Sequence, residues 1–342
     1  MARAGAHSEG VRPTLVLGLL FLAQYRVGCE CGEGPRRDAG LAEDDAGDAD
    51  AGAAADAGSD AGADAGVFSD AGARTWALRP NAARTLYRVH FSAPGEGWAV
   101  GAGGLALHWH DGGWGAVATP TTVDLRAVFV DSPASAWAAG DDGTVLRWDG
   151  ALWSAFDAGT SAPLRAIWGV SPGEVWAAGL AGTVLRWNGA GWQALDAGTS
   201  EDLYGVWGVG STLWFSGTNG FLTHWDGASF VRVDAGTAVT LHQAWGLGSR
   251  DVWLVGNAGV VLRWDGARWA RQVTPTTDDL RGVWGTALFD VWVVGWSGAL
   301  VHFDGTGWRQ DASPSPNNFY GTWGAGSTQW VVGTAGVMLE GR

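Results

Sequence analysis

The chain contains no lysine; all 21 of its basic side chains are arginine. Schiff-base catalysis and phosphate binding through a P-loop lysine are therefore excluded. Cysteine is almost as scarce. Cys29 and Cys31 are the only two, so the chain beyond them can hold neither a disulfide nor a thiolate metal site. A basic face is missing as well. The formal net charge is −14 and the pI about 4.7, whereas a nucleic-acid binder would show a high pI, so no nucleic-acid partner is expected. Long apolar runs are limited to Thr14–Ala23, and nothing further along is long enough for a transmembrane helix.

That one run follows Arg3 and Arg12 and has the length of a signal-peptide core, so residues 1–28 are expected to direct export. Val27-Gly28-Cys29 resembles the end of a bacterial lipobox, although Arg26 stands where an apolar residue is usual. Cys29 is thus the candidate for lipidation. Lipid anchoring in the cell envelope, plain secretion and a retained N-terminal anchor all stay open, and contact with a membrane is expected only through such an N-terminal lipid. Residues 29–73 read as an acidic linker. Positions 38–73 carry ten acids and no base in Asp-Ala-Gly repeats, which repel one another and offer almost nothing apolar to bury. Their spacing does not match a calcium loop.

What the rest of the chain has in abundance is tryptophan, on a ruler. Trp98, Trp137, Trp176, Trp214, Trp253, Trp292 and Trp330 recur every 38 or 39 residues. A second series just upstream (His90, Phe129, Trp168, Trp207, Trp245, Trp284, Trp323) keeps step, as do a third from Trp109 to Phe303 and a fourth from Trp114 to Trp308. Self-similarity at this period means one supersecondary unit copied in tandem. Each copy holds four short runs of β-branched and aromatic residues broken by Gly, Pro and Asx turns, which predicts a four-stranded antiparallel meander, the size of a propeller blade. Asp-Gly joins the third and fourth runs and favours tight turns. A Gly-x-x-Gly pair, such as Gly179/Gly182, follows each second run and should supply backbone angles that other residues resist.

The seventh repeat lacks a fourth run, and an orphan fourth run, Arg74–Leu78, precedes the first repeat. Pairing the two would close a ring and remove two sheet edges. Residues 74–342 are therefore predicted to form an all-β, seven-bladed propeller of roughly 39-residue blades, closed by its N-terminal strand and monomeric. Every tryptophan except Trp296 falls on a repeat position, which marks the aromatic content as core between blades.

The motif Trp-Ala-Ala-Gly-x-x-Gly-Thr-Val-Leu-Arg-Trp-Asp-Gly-x-x-Trp resembles the Asp-box propellers of bacteria, especially the photosystem-II-assembly-factor-like (Ycf48-like) group, over residues 74–342. The resemblance implies non-catalytic assembly or binding work. The Asp-box turn is contracted here to Trp-Asp-Gly-x-x-Trp, and the Gly-His element of WD40 repeats is absent. Sialidase-like hydrolases share the repeat type, so a carbohydrate-active hydrolase is the alternative. Glycoside cleavage needs two converging carboxylates. Of Glu96, Glu174, Glu201 and Glu340, the first two read as turn residues and none forms an evident pair. His108, His224 and His302 alternate with Arg147, Arg186 and Arg263 at one repeat position and read as a polar strand face, not a metal site. No catalytic residue, metal or cofactor is expected.

One series departs from the apolar or Gly/Trp consensus while staying in register. The second residue of each first strand reads Tyr87, Arg126, Arg165, Tyr204, His242, Arg281 and Tyr320. If these side chains point inward they ring the mouth of the central channel, with chemistry suited to a carboxylate, a phosphate or an acidic segment of a protein or glycan partner. If they turn into the blade interfaces, or merely coat a wet channel, they carry no recognition.

Overall fold

The computed structural model describes residues 74–79 and 82–342; the expected export signal, Cys29 and the acidic linker lie outside the described residues. Seven antiparallel sheets of four strands each form, six of them consecutive meanders. Blades 1 to 7 begin at the inner strands Leu86–Ala93, Leu125–Ser132, Leu164–Ser171, Leu203–Val209, Leu241–Gly248, Leu280–Ala287 and Phe319–Ala325. Each of these packs on the inner strands of both neighbouring blades, including the first on the last, so the ring is closed.

Closure is made by the orphan strand. Trp76–Arg79 pairs antiparallel with Met338–Gly341, Trp76 facing Gly341 and Arg79 facing Met338. Arg74 bridges Asp290 at 3.1 Å and Arg79 bridges Glu340, so the strand is held by charge at both ends.

The second strand of each blade, Glu174–Gly179 for example, is buried along almost its whole length, because a neighbouring blade covers each of its faces. Its tryptophan reaches forward into the next blade. Trp98 lies 4.9 Å from Trp148 and 4.8 Å from Trp153, and Trp137 meets Trp187 and Trp192 in the same way. The pattern continues through the closing strand, where Trp292 meets Trp76 edge-on at 5.2 Å, and returns to the start with Trp330 against Trp109 and Trp114. Tryptophan recurs because every blade repeats this one packing step.

Three local expectations change in detail. In the Gly-x-x-Gly turns only the second glycine is left-handed, as at Gly182 with φ +70°. The first is extended and is glycine for space, since a Cβ on Gly179 would collide with the Pro163 carbonyl. The left-handed residue before the second glycine is usually not glycine, as with Ala181 at φ +53°. The Asp-Gly link forms a four-residue loop in which the aspartate accepts from two backbone N–H groups, Asp149 from Ala151 at 2.9 Å and Leu152 at 3.0 Å. The third-strand Arg and His side chains are more than a polar face. Each sits directly across from its blade's second-strand tryptophan and covers its ring, Arg263 at 4.8 Å from Trp253 and His302 stacked at 4.2 Å on Trp292. Glu96 and Glu174, which read as turn residues, together with Asp251 and Asp290 are the acidic partners of these side chains, Glu96 accepting from His108 at 2.6 Å and Asp251 accepting from Arg263 at 2.8 Å.

Candidate functional site at the channel mouth

Each inner strand starts with a fully buried Leu or Phe that fixes its depth in the blade. At the next residue the pairing with the second strand slips. Leu164 faces Gly179 and Ala166 faces Ala178, which leaves Arg165 without a partner. A one-residue slip occurs at this point in all seven blades, taking in both His242 and Gln243 in blade 5. Such a bulge bends the strand and re-aims a side chain. Its consequence is that Tyr87, Arg126, Arg165, Tyr204, His242, Arg281 and Tyr320 line one cavity of about 280 Å³. They hold three of the chain's 4 tyrosines.

The ring is cross-linked around its circumference. Tyr87 donates to Asp124 at 2.9 Å, stacks obliquely 5.5 Å from Tyr320 and carries the Arg126 guanidinium 4.1 Å over its ring. Arg126 bridges Asp124 and Asp141 at 2.8 Å each, and Arg165 bridges the same Asp141. Arg281 bridges Asp279 at 3.3 Å and lies 4.8 Å over Trp296. His242 packs on Tyr204 and shares a 2.7 Å hydrogen bond with Asn257. Two of the three ring arginines are thus tied into a carboxylate network, and the ring carries far less open positive charge than its residue types suggest.

Burial sets the protonation states. It raises the Tyr87 phenol, with the Asp124 hydrogen bond acting in the same direction, so Tyr87 remains a donor. Burial, reinforced by Arg281, lowers His242 to about 3, so its imidazole is neutral at neutral pH. Burial also lowers Arg281, with Asp279 opposing it. For Asp141 burial acts upward, but hydrogen bonds from Arg126 and Arg165 outweigh it and keep the carboxylate ionised.

Several residues of the mouth went unnoticed in the repeat pattern. Asp124, Asp202, Asp279 and Asn318 lie two positions before a ring residue and staple the turn of the preceding blade, Asp202 accepting from Ala181 N–H at 2.9 Å. The recurring Asp-Leu-Arg and Asp-Leu-Tyr tripeptides were the available signal. Trp296, the one tryptophan off the ruler, is also the one exposed tryptophan among the described residues and stands beside Arg281. Arg88 is the eighth lining residue. It donates to Gln243 at 2.7 Å, and because blades 1 and 5 are not neighbours this bond crosses the channel. Beneath it His90, Trp168 and Trp323, from blades 1, 3 and 7, meet within 5.7 Å and fill the axis around a space of about 30 Å³, room for about one water.

The four glutamates beyond residue 73 are each engaged: Glu96 with His108, Glu174 with Arg186, Glu201 with Thr218 and Asn219, and Glu340 with Arg79 and Arg342. Among the described residues no cluster of three or more metal-ligating side chains occurs, and no helix is long and apolar enough to cross a membrane.

These features define a seven-bladed β-propeller whose polar channel mouth is closed beneath by aromatic side chains. Solved propellers match it in fold. A Ycf48 bound to a D1 peptide gives a TM-score of 0.65 at 20% identity, over 78% of this chain and 96% of its own. A virginiamycin B lyase from Staphylococcus aureus gives 0.71 at 14% identity, over 78% of this chain and 99% of its own. The WD40 propeller domain of Doa1 gives 0.66 at 12% identity, over 79% and 95%. No protein-family model and no curated protein sequence matches the chain. One architecture serves a lyase and a peptide-bound factor, so the fold by itself assigns no activity.

Proposed function

We propose that the protein is an exported, non-catalytic binding or assembly module, held outside the cytoplasm on its acidic linker, with Cys29 as lipid anchor. Its channel mouth takes the acidic portion of a protein or glycan partner. The observation that carries this reading is the convergence of all seven in-register polar positions on one cavity, through a bulge repeated in every blade. Bulges re-aim side chains and are over-represented next to active sites. A neighbour of the same fold bound to a peptide favours a protein partner over a glycan. The carbohydrate-active hydrolase alternative would have to use this same mouth, whose one imidazole, His242, is neutral at neutral pH and shares a hydrogen bond with Asn257.

The test is capture of partners from an envelope extract, together with binding to an anionic glycan array, by the parent and by Arg126→Gln/Arg165→Gln/Arg281→Gln. Arg250→Gln/Arg268→Gln/Arg271→Gln, exposed positions of blade 5, removes equal charge elsewhere. Loss with the ring variant alone supports the mouth. Loss with the control alone moves the site to the blade sides, and turnover on generic glycosides that survives purification replaces binding by catalysis. Detergent-phase partitioning of the parent against Cys29→Ala checks the anchor; equal aqueous partitioning leaves simple secretion.

A further inference from the structure

The register position directly after the ring is small in five blades: Ala127, Ala166, Gly205, Gly282 and Gly321. Space explains this, since a Cβ on Gly205 would strike the His242 carbonyl. Blade 1 breaks the rule with Arg88 and blade 5 with Gln243, and these two meet at 2.7 Å across the channel. A guanidinium placed on the axis of a propeller is costly to desolvate and needs a compensating group. Every other arginine lining this cavity has a carboxylate: Asp124 and Asp141 for Arg126, Asp141 for Arg165, Asp279 for Arg281. Among the described residues Arg88 has none, and Gln243 is its one protein acceptor. Its remaining donors belong to a half-buried side chain that lines both the mouth and the narrow space below.

We propose that Arg88 is the receptor for one compact oxyanion, of carboxylate or phosphate size, admitted through the mouth. This rests on reading the mouth as a binding site and adds which of its charges is open. The four lining arginines face three carboxylates, Asp124, Asp141 and Asp279, so one positive charge is left at the floor of the cavity. Burial lowers Arg88 to about 10, which still leaves it charged at neutral pH. A guanidinium offers a planar fork of donors matched to an oxyanion, and Gln243 holds that fork from one side. The volume of about 280 Å³ admits such a group and a few waters, and the aromatic plug beneath stops it from passing through.

The experiment follows thermal melting of the purified protein in chloride, acetate and inorganic phosphate at matched ionic strength. Acetate or phosphate should raise the melting temperature of the parent above its value in chloride. Arg88→Gln should lose that rise, and calorimetric titration should show binding at least about tenfold weaker, as expected for removing a charge-assisted hydrogen bond. Gln243→Glu supplies Arg88 with a carboxylate of the chain's own and should lose the rise too, an outcome that a merely structural Arg88 would not produce. Arg268→Gln, exposed on blade 5, should respond like the parent. Should Arg88→Gln fail to fold, the Arg88 Nε–H resonance of the arginine-labelled parent must shift along the same phosphate titration. No rise in the parent beyond chloride, or an equal rise in Arg88→Gln, overturns the proposal, while partner capture through the ring could still hold. Competition between acetate and a hexaglutamate peptide then separates a free anion from one carried on a chain; both uphold the receptor.

Discussion

On the third strands Arg186 covers Trp176 at 5.2 Å and bridges Glu174, all within one blade, whereas on the first strands Arg165 bridges Asp141 in the blade beside it. Both series are polar, in register and variable along the chain. In the third-strand series arginine and histidine do the same work, because either one covers the tryptophan and can face an acid. In the first-strand series the contacts differ from blade to blade: Arg126 and Arg165 share Asp141, Arg281 meets Asp279 and Trp296, His242 meets Asn257, and Arg88 reaches Gln243 across the axis. Variation that leaves the contact unchanged marks interchangeable scaffold. Variation that changes the contact marks a surface with a specific shape.

The strongest way to break this comparison is to open the scaffold itself. Deleting residues 74–79 removes the outer strand of blade 7, the Trp76 contact with Trp292 and the bridges from Arg74 and Arg79. The expected loss exceeds that of any single substitution, on the order of 5 kcal/mol or more, since a buried tryptophan alone accounts for about 3–5 kcal/mol. Urea melts of the deletion that overlay the parent would rule out closure by this strand. Trp187→Ala comes next. It empties a site packed against Trp137 and Trp192 and should cost about 3–5 kcal/mol, with binding retained in whatever remains folded.

Acid should discriminate the two regions by a different route. His90 and His242, both facing the axis, are 6% and 4% exposed, and burial lowers each to about 3. The unfolded chain binds those protons near pH 6.5. Stability is therefore full above pH 6.5 and falls as pH drops toward 3, by several kcal/mol between pH 7 and pH 4 for the pair. Asp290, held low against burial by His302, Thr286 and Arg74, adds its loss as pH falls through the ordinary carboxylate range and below it. Urea midpoints measured at pH 7 and 4 check this, and His242→Asn should flatten the slope. A midpoint indifferent to pH would mean that these imidazoles are reached by solvent.

The architecture was legible because blade packing repeats one step seven times, and a repeated step leaves a repeated residue. Trp98, Trp137 and Trp176 could be aligned by spacing alone. Closure was legible for the same reason, since Trp76 continued a series whose seventh member was missing. The mouth was half legible. Its seven ring positions stood out in register, but strict strand alternation places the next residue on the opposite face, and so Arg88 was passed over. The bulge cancels that alternation and turns both Tyr87 and Arg88 to the lumen. A bulge depends on backbone pairing between strands and leaves little trace in residue type. The partners of Arg126 and Arg165 were hidden too, because Asp141 lies in a turn of blade 2 that looks like any other acidic loop.

Smaller effects sharpen the contrast. Arg263→Gln should lower stability by about 1 kcal/mol, because it removes a half-buried ion pair with Asp251 and a cation–π contact with Trp253. It should leave binding intact. Trp296→Ala is the opposite case and the smallest in stability. The side chain is 38% exposed, off the repeat, and carries the Arg281 guanidinium 4.8 Å over its ring. Its removal should stay within about 0.5 kcal/mol of the parent, as surface substitutions usually do. An exposed indole at the rim of a polar cavity nevertheless offers a partner apolar area next to charge, the pairing that makes tryptophan a common anchor of interfaces. Partner capture should therefore drop with Trp296→Ala while melting does not move. If capture is unchanged and the ring variant still abolishes it, contact ends at the mouth and does not extend over the rim of blade 6.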